Sequence, residues 1–216
     1  MKVFYKHILF LLIFSASLAL NANEIEPIDS LTRLLKKVKQ DTTKLRLLYV
    51  LSNECDEEDI LKYAKPGVEL ADAIISNSKN LSVEAKKNVL KFKALCLGNI
   101  GFVYQATGDY ENALDHYSKS LKIQEEISDK HDIALSFNNL AVAWQSQGNF
   151  AKALNYYKKS IAIQQEIGDK EGKANSLGNL GLIYHDIGDP AKALDCYFEA
   201  LKLEDEIGEK PGWPLH

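Results

Sequence analysis

Apolar positions recur along this chain at spacings of three and four, and the same arrangement returns every 40 residues. From Ile133 to Gln147, the residues Ala134, Phe137, Leu140, Ala141 and Trp144 form one stripe, which predicts an amphipathic helix. Gly148-Asn149 interrupts it. A second stripe runs from Phe150 to Ile167 through Ala153, Leu154, Tyr157, Ile161 and Ile163, and Gly168-Asp169-Lys170 closes it. Glycine after a helix supplies a left-handed residue at low cost, and the Asp or Asn behind it caps the next helix. Pro190 directly after Asp189 follows the preferred order of cap and first-turn proline.

Shifting the chain by 40 residues superposes Gly108, Gly148 and Gly188, then Ala113, Ala153 and Ala193, then Tyr117, Tyr157 and Tyr197, and also Asn99, Asn139 and Asn179. Such a period marks a helix pair that cannot cover its own apolar face and must stack on its neighbours. The expected fold is therefore all-α, a superhelical solenoid of antiparallel helix pairs. Small residues mark where the two helices of a unit cross: Gly101, Ala141 and Gly181 on the first, Ala113, Ala153 and Ala193 on the second. Tyr104, Trp144 and Tyr184 fill the space beside them with the three in-register tyrosines, as core.

Upstream the pattern loosens. A short Leu/Lys helix is expected over Asp29 to Gln40, Asp41-Thr42-Thr43 reads as the cap of a helix over Lys44 to Asn53, and Asp41 to Ser76 reads as a degenerate first repeat with Pro66 as an irregularity. A polar break at Asn77 to Ser82 precedes a helix over Val83 to Thr107, longer than its counterparts. Gly208-Glu209-Lys210 ends the last unit, and residues 211–216 include no polar covering helix.

Composition narrows the function classes. With 46% apolar and 26% charged residues in 216, the chain has material for a sizeable core. Lys2 and Lys6 precede an apolar run that leads to Asn21-Ala22-Asn23, the parts of a signal peptide over residues 1–22 and too short a run for a membrane span. Retention as a membrane anchor is the lesser alternative. The expected location is exported, periplasmic or secreted. The net charge of -4 moves to about -6 once the two lysines leave, which disfavours nucleic acid. Cys55, Cys96 and Cys196 are too few and scattered for a disulfide framework.

Asn99-Ile100-Gly101 to Tyr104, Gly108, Ala113, Tyr117 and Ser120 stand at the spacing of the tetratricopeptide repeat, and the next two units repeat it. The resemblance covers Lys93 to Lys210. The 40-residue period and the Glu166-Ile167-Gly168-Asp169-Lys170 ending are more similar to kinesin light chain and Pins-type adaptors than to the 34-residue standard. It implies repeats at 93–132, 133–172 and 173–210, behind N-terminal helices over 23–92 that include one degenerate unit, with a tail at 211–216. It also implies a concave face lined by the first helices. Its inner positions correspond to Asn99, Phe102 and Gln105, to Asn138, Asn139, Val142 and Gln145, and to Asn175, Asn179, Leu182 and His185. Amides alternating with apolar side chains suit an extended peptide, whose backbone they meet as both donors and acceptors. The alternative role for the three in-register asparagines, a bond to the neighbouring helix, is equally open at this level. The lysine-and-asparagine clamp that binds C-terminal carboxylates in some relatives lacks its residues at Gly98, Asn138, Phe102 and Val142.

No metal-ligand spacing joins the five histidines, and no phosphate loop or nucleophile elbow is present, so neither enzyme activity nor a cofactor is expected. His185-Asp186 is the one suggestive pair, but adjacent helical residues point apart. Two functions remain: a non-catalytic scaffold that holds a protein or peptide segment in its groove, or the extracytoplasmic input region of a bacterial signalling protein whose output domain is a histidine kinase, cyclase or transcription regulator.

Overall fold

A computed structural model describes residues 28–208 apart from Lys79. The proposed signal segment and the tail at 211–216 lie outside the described residues. The helices are α1 (Ile28–Lys37), α2 (Asp41–Glu54), α3 (Ile60–Asn77), α4 (Val83–Ala106), α5 (Tyr110–Ile127), α6 (Lys130–Ser146), α7 (Phe150–Ile167), α8 (Lys170–Asp186) and α9 (Pro190–Gly208). One 3-10 turn, Glu57–Asp59, precedes α3, and no strand occurs among the described residues. None of these helices is long and apolar enough to cross a membrane.

Local chemistry sets the boundaries. Asp109, Asp129, Asn149 and Asp169 each accept a hydrogen bond from a backbone N–H in the first turn that follows, which satisfies one orphan donor of that helix. Gly148 and Gly168 take φ of 76° and 71°, the left-handed region that reverses the chain. Ser128 stands at the register of Gly168 with φ 56°, a conformation that strains any side chain. The N-terminal cap differs from expectation. α2 starts at Asp41 itself, and Gln40 is its flanking residue, to which the Thr43 hydroxyl donates at 3.2 Å. Asp41 therefore sits in the first turn, where the helix dipole favours its charge. Pro66 lies inside α3 on its exposed side, and the helix continues through it.

Consecutive helices pack as pairs, α2 with α3, α4 with α5, α6 with α7 and α8 with α9, and each pair stacks on the next. α1 closes the near end by burying Leu31 against Leu47, Leu48 and Leu51 of α2. Within the pairs a ring meets a small residue. A methyl added at Gly101 would lie 2.8 Å from the Tyr117 ring, and one at Gly181 would lie 2.6 Å from the Tyr197 ring. Tyr117 and Tyr157 are consequently buried. A serine then locks the crossings of α4 with α5 and of α6 with α7. Ser120 Oγ donates to the Ala94 carbonyl at 2.8 Å and Ser160 Oγ to the Ala134 carbonyl at 2.7 Å. Cys55, Cys96 and Cys196 are free thiols, and burial pushes the Cys96 thiol up to about 12, far from a reactive thiolate.

Charged struts tie one unit to the next. Lys91 of α4 donates to Asp129 at 2.7 Å and stands 3.5 Å from Asp132, whose Oδ2 has no hydrogen bond of its own. His131 occupies the register of Lys91 and reaches the next unit in the same way, with Nε2 4.0 Å from Asp169 and Nδ1 3.4 Å from Asp132. The contact with Asp132, with the field of Asp169 and Asp129, holds the His131 imidazolium above its ordinary 6.5 against the opposing effect of burial.

Two outcomes follow from this packing. Gly101→Leu is expected to lower stability by about 1 to 3 kcal/mol in chemical denaturation, because the Tyr117 ring has no room to yield. Gly98→Ala, where nothing lies within 4 Å, should raise it by about 0.5 to 1 kcal/mol through helix propensity. The His131 strut is charged, and so fully stabilising, below 6.5, and it is lost as pH rises through the raised value. A comparison of melting temperatures from about pH 5.5 to about 8.5 should show His131→Lys pulling ahead of the native chain as pH rises. Parallel curves for the two proteins would show that this strut contributes nothing.

Candidate functional site

The first helices α4, α6 and α8 lie side by side and carry the residues expected to bind. They do not behave alike. Asn99 Nδ2 donates to Ser52 Oγ of α2 at 2.9 Å, so this asparagine ties two neighbouring helices. Asn138 does the same one stack later by accepting from Ser176 Oγ of α8 at 3.3 Å. Gln105 and Gln145 are also committed through one atom: the Tyr117 hydroxyl donates to Gln105 Oε1 at 3.2 Å and the Tyr157 hydroxyl to Gln145 Oε1 at 3.1 Å. Burial raises both phenols above their usual range, which keeps them as donors. Each glutamine retains its Nε2 donors on the helix face.

Asn139 and Asn179 differ. Both are half-buried, and neither side chain has a hydrogen-bond partner among the described residues. The same three first helices expose apolar groups: Phe102 at 44% on α4, Leu135 at 41% on α6 and Leu182 at 49% on α8. Val142 is half-buried, at the margin of the core shared by α6, α7 and α8. Asn175, Asn179 and Leu182 line a recess of about 460 Å³ between α8 and α9, on the face that no further helix covers among the described residues. The third unit's candidates thus sit at the open end of the stack. His185 takes the register of Gln105 and Gln145 but is exposed, with Nδ1 3.4 Å from Asp186 Oδ1. These adjacent side chains do approach each other, at the exposed C-terminal end of α8.

The face therefore offers amide donors and acceptors at half-buried positions, with apolar patches between them. Among the described residues no group of three or more His, Cys, Asp or Glu side chains could hold a metal ion. Sequence reasoning missed Ser52, the partner of Asn99, because α2 lies outside the 40-residue register and nothing in its own pattern marks that serine.

Known proteins place the chain. The sequence profile described as "Tetratricopeptide repeat" matches residues 93–166 and 132–204. No curated protein sequence matches. The fold is similar to that of aspartyl phosphate phosphatase F from Bacillus subtilis, with a TM-score of 0.72 and 16% identity over 84% of this chain and 46% of that one. A Rap protein complexed with Competence and Sporulation Factor gives a TM-score of 0.67 and 20% identity over 84% of this chain and 49% of that one. A kinesin light chain-type protein of nearly identical repeats from Podosopora anserina gives 0.53 and 16% over 85% and 88%. The chain spans about half the length of the phosphatase and of the Rap protein. At these identities the likeness is one of fold.

The two classes of asparagine separate in stability. Asn99→Ala should cost about 1 kcal/mol in urea unfolding, since it removes a part-buried bond and leaves the Ser52 hydroxyl without its partner. Asn139→Ala should stay within about 0.5 kcal/mol of the native chain. A repeat profile that matches over more than half the sequence, on a stack of paired helices, makes this chain a member of the tetratricopeptide repeat family.

Proposed function

We propose that this protein is a non-catalytic interaction module that holds an extended peptide or protein segment along the concave face of α4, α6 and α8. The observation that carries the reading is the half-buried Asn139 amide, which no protein side chain or backbone group engages among the described residues, one turn from the exposed Leu135 on the same helix. A half-buried amide without a partner is offset when a ligand backbone supplies both a donor and an acceptor. Exposed apolar groups of the first helices accept alternate side chains of an extended segment. The structural neighbour crystallised in complex with Competence and Sporulation Factor supports ligand binding by a stack of this fold. The N-terminal segment supports export, so the partner is an extracytoplasmic one.

Asn139 and the exposed Phe102 and Leu135 are the proposed contacts, while Asn99, Asn138, Gln105 and Gln145 set the spacing of the helices that present them. The test is selection of binders from a displayed library of random peptides, followed by titration of the best of them. Asn139→Ala and Leu135→Lys should each weaken binding tenfold or more, about 1.4 kcal/mol, with melting unchanged. Binders that hold both variants as tightly as the native chain would remove this face from the proposal.

A further inference from the structure

Charge is segregated within each repeat. No Asp, Glu, Lys or Arg occurs from Ala94 to Gly108 along α4 and its turn, from Ile133 to Gly148 along α6 and its turn, or from Ala174 to His185 along α8. The exposed positions of α5, by contrast, are filled largely by Glu111, Asp115, Lys119, Lys122, Glu125 and Glu126. Burial explains only part of the difference. α4 still presents Phe102 and Ala106 to water, and α6 presents Leu135 and Ser146, at positions where a solvated charge is the ordinary choice. The charges that begin these helices are committed to the scaffold. Lys91 lies between Asp129 and Asp132, Lys93 is paired with Asp72, and His131 stands between Asp132 and Asp169. Water-accessible surface without charge is the compositional mark of the centre of an interface, where charged residues are depleted.

We infer that this face admits only an uncharged stretch of its partner, an extended segment whose residues against α4 and α6 carry amide, hydroxyl or apolar side chains and no Asp, Glu, Lys or Arg. The inference rests on the groove reading and names the chemistry of the ligand for it. A carboxylate or ammonium pressed against Phe102, Leu135 and Val142 loses its water and meets no opposite charge, since none stands on these stretches of helix. A neutral amide keeps its compensation. Asn139 offers a donor and an acceptor, and the Nε2 groups of Gln105 and Gln145 remain as donors, because the tyrosine hydroxyls engage only their Oε1 atoms. The face thus discriminates by the cost of desolvating a wrong ligand, not by repelling it. It also draws on no long-range attraction, so the contact holds nothing for salt to screen.

Peptides selected on this protein from a displayed random library test the inference, with alanine scanning of the best binder to define the positions that touch the face. Those positions should hold no Asp, Glu, Lys or Arg across the selected set. The dissociation constant should move less than about twofold between about 50 mM and about 500 mM NaCl. Glu or Lys placed at one contacting position of the peptide should weaken binding about tenfold or more. Phe102→Glu puts a charge on the face at an exposed position, so the fold should persist with its helicity unchanged. Binders selected on that variant should acquire Lys or Arg and become sensitive to salt. Peptides that weaken with Asn139→Ala and Leu135→Lys, yet carry a charge at a contacting position or lose affinity severalfold in salt, overturn this inference and leave the groove reading standing. A Phe102→Glu variant that selects the same neutral peptides overturns it as well. Binders indifferent to both groove variants, or a library that yields none, remove the groove reading and this inference with it.

Discussion

The contact of a tyrosine ring with a residue that has almost no side chain sets the dimensions of everything else. Where Tyr117 meets Gly101 and Tyr197 meets Gly181, the two helices of a unit are as close as an aromatic ring between backbones permits. The remaining contacts of each pair depend on that separation. Three positions beyond Tyr117 and Tyr157, Ser120 and Ser160 then reach a carbonyl of the facing helix, and the two phenols reach the glutamines of their own units. Each of those bonds is directional and has little tolerance in length. An apolar contact of fixed thickness brings them into range, and they in turn fix the rotation of one helix about the other.

Much of this is legible in the sequence because it is local. α7 runs from Phe150 to Ile167, as its stripe predicts, since Asn149 and Gly168 act within a turn of the helix ends. The crossing points are legible for a related reason, because a small residue that returns at one register of every helix pair marks a close approach of backbones. The start of α2 departs from its pattern. Asp41-Thr42-Thr43 has the composition of a cap, but a polar residue precedes it too, and a helix adds a turn wherever the chain ahead lets it. The bond between Asn99 and Ser52 is beyond reach on different grounds. It joins residues 47 apart, across the junction where the period fails, so that no repeated spacing points to it.

The candidate face shows why one residue type at one register need not have one role. Asn99 and Asn139 are equivalent by sequence, yet only the first has a hydroxyl on the preceding first helix within reach. The amides of Asn138, Gln105 and Gln145 are each drawn into the scaffold through one oxygen. A half-buried amide binds whatever polar group is nearest, a tyrosine of its own unit for Gln105 and Gln145 and a serine of the neighbouring unit for Asn99 and Asn138. The amides that remain free are those where the scaffold has no polar group within reach, and only the packed helices distinguish them.

The ties within and between units close over short stretches of chain: 26 residues from Ser120 to Ala94, 36 from Lys130 to Glu166, 38 from Lys91 to Asp129 and 47 from Asn99 to Ser52. None requires a distant segment to be in place first. Loop closure over such lengths costs little entropy, and the low contact order that results favours rapid assembly. A chain delivered from one end can therefore complete each interface as soon as the next helix pair appears, growing by accretion from the unit already formed.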